Sequence, residues 1–96
     1  MNELQAGREL DVRVAIEVMG WQVVYPYSTD VAAAWQVIEH LRDQGADVEI
    51  GVPAHTYRWY CEVRPREGTT VHWHAADTMP LAVCRAALKV LGVPGE

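Results

Sequence analysis

The sequence predicts an α/β domain: a small α/β/α sandwich with three helices and an antiparallel or mixed sheet of three to four strands. Three observations predict it. The chain has 96 residues, enough for one domain and little more. Three stretches carry apolar residues at helical spacing, each closed by a glycine. Between them lie short stretches in which apolar and polar residues alternate, as they do on a sheet. The order is helix, strand, helix, three strands, helix, with short connections. A sheet with helices packed on it is the natural way to bury such faces.

The first helix is expected over residues 9 to 20, "ELDVRVAIEVMG". Leu10, Val14 and Val18 recur every four residues, with Ile16 and Met19 widening the stripe, and Gly20 suits a left-handed stop. A short strand is expected over 21 to 28, "WQVVYPYS", because Trp21, Val23 and Tyr25 alternate; Pro26 confines it to an edge or ends it. The second helix starts at Ser28, Thr29 and Asp30. The first two are good caps, and the third suits the positive end of the helix dipole. Val31, Ala34, Trp35, Ile38 and Leu41 form its apolar face, with Trp35 read as core, and Gly45 closes it.

"DVEIGVP" reads as a strand with Val48, Ile50 and Val52 on one side, ended by Pro53. "YRWYCEVR" and "TTVHWHA" flank the turn "PREG" and read as a β-hairpin. The third helix is "TMPLAVCRAALKVLG", with Thr78 as cap and Pro80 in the first turn. Its stripe is Leu81, Cys84, Leu88 and Leu91. Cys61 and Cys84 sit in unlike contexts and form no C-x-x-C pair, so both read as buried free thiols.

Three blocks share a resemblance: "VMGW" at 18–21, "PYSTDVAAAWQVIEHL" at 26–41 and "PLAVCRAALKVLG" at 80–92. Together they resemble the phage ABA sandwich domain, a family of small phage and prophage proteins, across one domain spanning residues 1–96. The resemblance implies α/β/α layering and a phage-type origin. At the matching positions it implies structural roles: Gly20 as a helix stop, Ser28 to Asp30 as a cap, and Ala33, Ala34, Ala86 and Ala87 as close-packing surfaces. It carries over no catalytic or metal-binding residue.

Charge bounds the function. The net charge is −5, which argues against general nucleic-acid binding. No apolar run reaches the roughly 20 residues of a membrane span. The start has no basic segment followed by an apolar core, so the expected address is the host cytoplasm. The charge is uneven, however. Residues 1–50 hold nine acids to three bases, whereas residues 51–96 hold four acids to five bases. A local anion site in the second half is therefore allowed.

The hairpin is where chemistry is expected. If its turn closes symmetrically about Glu67, Tyr57, Trp59, Cys61 and Val63 share a packing face with Val71, Trp73 and Ala75. The other face then carries Arg58, Tyr60, Glu62 and Arg64 with His72 and His74, His72 lying opposite Glu62 and His74 opposite Tyr60. Three uses of that face stay open. It is a solvated face with cross-strand polar pairs, or an oligomer interface or ligand floor, or a metal site. For the metal, His72, His74 and Glu62 would supply three ligands, with Asp77 as substitute or supporting partner. Arg58 and Arg64, helped by Arg66 at the turn, could hold a phosphate, while Tyr60 and the imidazoles stack a base. Ser28 in "YSTD" reads as a cap rather than a nucleophile, because no G-x-S-x-G elbow surrounds it. The glycines form no phosphate-loop motif.

The reading that follows is a non-enzymatic binding protein that forms a homo-oligomer and needs no cofactor or metal. Its ligand site is Arg58, Tyr60, Arg64, His72 and His74, and its ligand a small anionic nucleotide signal of the host, sequestered as an anti-defence measure. Two alternatives stand beside it: an interaction protein that docks a host protein, and a metal-dependent hydrolase built on His72 and His74.

Overall fold

The computed structural model describes residues 5–20, 23–54, 58–66 and 71–91. The elements run α1 (Arg8–Arg13), continuing as a π-helical segment (Val14–Met19), α2 (Val31–Asp43), β1 (Asp47–Gly51), β2 (Trp59–Arg64), β3 (His72–Ala76) and α3 (Met79–Val90). The strands form one antiparallel sheet in the order β1-β2-β3. The α/β class, the helices and the antiparallel sheet are those that the sequence predicts.

The first helix changes pitch halfway. From Val14 onward it is π-helical, and Gly20, at φ 70°, ends it by donating its N–H to the Ala15 carbonyl. Leu10, Val14, Ala15, Val18 and Met19 are buried, but Ile16 is exposed. Ile16 follows Val14 by two residues, which turns it to the far side of any helix of this kind.

The expected strand at 21–28 does not form in its described part. Residues 23–26 belong to no strand, and residues 27–29 make a turn; Trp21 lies outside the described residues. Pro26 and a buried polar knot explain the difference. The Pro26 carbonyl accepts from the N–H of Thr29 and of Asp30. Ser28 donates both its N–H (2.8 Å) and its Oγ–H (2.6 Å) to Asp11 Oδ1, and its Oγ accepts from the Gly7 N–H at 2.8 Å. Ser28 therefore clamps α1 to the start of α2, and Asp30 is the cap, accepting the Ala33 N–H at 2.9 Å. Beside this knot, Tyr27 is fully buried and its hydroxyl finds no partner among the described residues. Burial, with Tyr25, Cys84 and Asp11 nearby, pushes that phenol above its usual range.

α2 buries Ala33, Ala34, Val37, Ile38 and Leu41. Trp35 and Val31 are exposed, contrary to the expected apolar face. Trp35 is one residue past Ala34, which rotates it about 100° beyond Ala34 and out of the buried stripe. Gly45, at φ 95°, turns the chain toward β1, and a Cβ there would strike the Arg66 side chain at 2.6 Å. Thr78 caps α3 by accepting the Leu81 N–H, with Pro80 in the first turn.

α3 is the centre of the domain. Every residue from Met79 to Leu88 is buried, Arg85 included. It packs on β2 and β3 on one side and on α2 and the π-helical segment on the others. The small residues Ala33, Ala34, Ala86 and Ala87 are all buried, as close helix packing requires. Leu91, counted in the expected stripe, is exposed just past the helix end, and Gly92 lies outside the described residues.

Helices cover one face of the sheet. That face holds Val48 and Ile50 of β1, and Trp59, Cys61 and Val63 of β2. The opposite face carries no helix among the described residues.

Candidate functional site

The β2–β3 register corrects the expected hairpin. Val63 lies opposite His72, Glu62 opposite Trp73, Cys61 opposite His74 and Tyr60 opposite Ala75. The pairing is centred half a residue further along than a turn symmetric about Glu67 would place it. Because side chains alternate, that slip moves all of β3 to the other face. His72 and His74 therefore join Cys61 and Val63 on the helix-covered face. Trp73, expected in the packing face, stands on the open face, 49% exposed. Tyr57 and the rest of the "PREG" turn past Arg66 lie outside the described residues.

The register also undoes the three-ligand metal arrangement. Glu62 is on the open face and the imidazoles on the other, so they cannot share an ion. No group of three or more potential ligands gathers among the described residues. Asp77, the proposed substitute, is an exposed ion-pair partner of Arg58, at 3.3 Å.

The expected anion-site residues are partly brought together. Arg58 and His74 line a cleft of about 300 Å³ where α3 meets the edge strand β3, with Trp73, Ala75, Arg85 and Lys89. Arg58, Trp73 and Ala75 reach it from the open face. His74, Arg85 and Lys89 reach it from the helix side, so the cleft straddles the strand. His74 Nδ1 lies 3.1 Å from the Ala75 carbonyl, and Lys89 donates to the Trp73 carbonyl at 3.3 Å. Tyr60 lines an adjoining recess of about 180 Å³ with Pro53, Arg58, Trp73 and Ala75. Its hydroxyl donates to Glu49 at 2.8 Å, and this bond, with lesser help from burial and the nearby carboxylates, holds the phenol above its usual range.

Arg64 and His72 stand apart. Arg64 lies 3.9 Å from Glu62 in a shallow recess with Asp47, Val48 and Glu49, toward β1. His72 lies opposite Val63 and lines neither the cleft nor the recess beside it.

Arg85 and Lys89 were missed by the sequence reading. Their signal is faint: two cations four residues apart on an otherwise apolar helix, Arg85 falling four residues after Leu81. Arg85 is only 5% exposed, and a cation is seldom that buried unless it is paired. The two thiols are poor candidates for chemistry. Burial, with Glu62 adding to it, pushes Cys61 up to about 12, and burial beside Asp11 and Cys61 raises Cys84 further. No described helix is long and apolar enough to cross a membrane.

Comparison with known proteins agrees with this architecture. A crystal structure of a phage protein from Bacillus cereus ATCC 14579 superposes with a TM-score of 0.80, covering 97% of this chain and 93% of the other at 21% sequence identity. At that identity the likeness shows the fold alone. No curated protein matches the sequence. The phage ABA sandwich domain matches over residues 13–88, which takes in every helix and strand from the end of α1 to most of α3. On that match, the chain belongs to the phage ABA sandwich domain family.

Proposed function

We propose that this phage-type domain is a non-enzymatic binding protein that captures a small phosphate-bearing ligand in the cleft between β3 and α3. One observation carries the reading. In a chain of net charge −5, Arg58, Arg85 and Lys89 converge with His74 on one cleft whose lining, among the described residues, holds no carboxylate, Asp77 pairing with Arg58 beside it. Such a cluster concentrates positive potential where the rest of the surface is acidic. The low-dielectric wall that surrounds Arg85 strengthens its pull on an anion relative to a cation in water. A volume near 300 Å³ is at the lower end of small-molecule sites.

The fullest form of this reading is anti-defence: the phage protein removes a phosphate-bearing signal of its host by holding it. A cradle of cations is sufficient for sequestration. Assembly into a homo-oligomer would add walls to a site that one small domain leaves open. The alternative, docking of a host protein, draws support from the helix-free sheet face with its exposed Trp73 and Val71.

Calorimetric titration with inorganic phosphate, ribose 5-phosphate and the common nucleoside monophosphates tests the reading. Binding should weaken with salt, and Lys89→Ala and Arg58→Ala should each cost about tenfold or more in affinity, as loss of a charge-assisted contact does. Silence across the set would remove it. Native mass spectrometry reports the subunit number and any molecule carried through purification.

A further inference from the structure

We infer that the ligand is a nucleotide whose base lies flat in a slot between Trp73 and Tyr60, while its phosphate sits in the cationic cleft. The inference rests on the anion-binding reading and adds to it a separate slot for the base, which narrows the phosphate-bearing ligand to a nucleotide. Two recesses adjoin and share Arg58, Trp73 and Ala75 as a common wall. The larger is cationic, about 300 Å³; the smaller is mostly apolar, about 180 Å³, and adds Pro53 and Tyr60. A bare anion or a sugar phosphate would fill only the first. A molecule that is anionic at one end and flat and aromatic at the other would fill both.

The slot is built by small residues at chosen register positions. Tyr60 pairs with Gly51 on one side and Ala75 on the other. Gly51 has no Cβ, and the Tyr60 ring lies over it: a Cβ added there would come within 3.1 Å of Tyr60 Cε1 and 3.2 Å of its hydroxyl oxygen. The hydroxyl is tied to Glu49 on the same strand as Gly51, at 2.8 Å. The ring is thus drawn toward β1 and leaves the space above Ala75 clear. Ala75 is a low floor, and Trp73, half exposed, stands as the far wall. An indole that stays half in water gains by covering, and every nucleobase has a face to offer it.

Trp73 is therefore the specificity-determining residue, and Gly51 is a positioning residue acting through Tyr60. The test compares nucleoside monophosphates with ribose 5-phosphate and inorganic phosphate, by calorimetry and by quenching of tryptophan fluorescence. In the native protein a nucleoside monophosphate should bind about 10- to 100-fold tighter than ribose 5-phosphate, the usual worth of stacking one base. Trp73→Ala should bring the two to the same affinity, the nucleotide losing far more than ribose 5-phosphate. Trp73→Phe should keep most of the preference but lose the quench. Gly51→Val, which pushes the Tyr60 ring across Ala75, should reduce the nucleotide preference while sparing inorganic phosphate. If a variant fails to fold, the comparison of ligands on the native protein still decides. Equal affinity for nucleotide and ribose 5-phosphate would overturn the base slot and leave the anion site standing. No binding of any phosphate would overturn both.

Discussion

On the helix-covered face of the sheet, Cys61, Val63 and Ala76 are fully buried; on the other face their chain neighbours Glu62 and Ala75 are half-buried, and Arg64 is exposed. The same strands supply both. The difference lies in what each face meets. α3, buried on every side, turns one face into core, where volume and apolarity decide what is tolerated. The bare face is free to carry charge, hydroxyls and an indole. The cleft lies at the boundary between them, where β3 is the last strand and α3 passes beside it. There a cation can be as buried as Arg85 and still line a surface cleft. A one-sided sheet thus supplies a dry wall and a wet wall to the same small site.

Three measurements press on this contrast, from the largest expected effect to the smallest. Leu88→Ala, at a fully packed position of α3, should cost about 2–5 kcal/mol of stability in urea denaturation, through lost burial and the cavity left behind. A cost well under that range would mean that α3 is less tightly enclosed than its burial says.

The covered face also has a pH signature. Cys61 titrates near 12 in the folded chain against an ordinary value of 9.0. As pH rises, the unfolded chain therefore gives up its thiol proton first. Stability due to this thiol is full below about pH 9 and is lost between pH 9 and about 12, at up to about 1.4 kcal/mol per pH unit. Comparing urea midpoints at pH 8 and pH 10 should show a shallower alkaline loss for Cys61→Ala than for the native protein. At pH 8 both thiols should ignore a thiol reagent until denaturant is added. Equal slopes, or prompt labelling of the folded chain, would contradict the burial of this face.

The open face should be nearly silent in stability. Trp73→Ala should change the urea midpoint by less than about 1 kcal/mol equivalent, since half of the indole is already in water. A larger loss would place Trp73 in a structural role and weaken its assignment to ligand binding.

Much of the fold was legible in the residues. Thr78, Pro80, Gly20 and Gly45 mark helix ends in ways that local chemistry dictates, and the structure uses each as expected. The helical spacing of Ala34, Ile38 and Leu41 found the buried side of α2, although it drew Trp35 in with them. The short strand at 21–28 was misread because alternation of Val23 and Tyr25 looks the same whether or not a partner strand exists. Ser28 was misread as a cap because the sequence does not reveal Asp11, 17 positions away, as the group that takes it.

The site was less legible. Arg58, Tyr60 and His74 were found as types of residue that bind anions; His72 was grouped with them through a register the chain does not adopt, and Arg64 shares the face of Arg58 but sits at the other end of β2, opposite Asp47. Arg85 and Lys89 come from another element altogether, and only packing brings them to the hairpin.

By itself the sequence determined periods: which residues of a strand share a face, which residues of a helix share a stripe, and where each element ends. Those are local, set by backbone geometry and by glycine, proline and capping side chains. Only the tertiary structure decided which face of β3 meets which face of β2. In a sheet with a repeat of two, a shift of one residue exchanges every inside for an outside, and the alternation along each strand is the same in either register. The packing of α3 goes with one choice, the one that sets Ala76 beneath the helix and leaves Trp73 facing solvent.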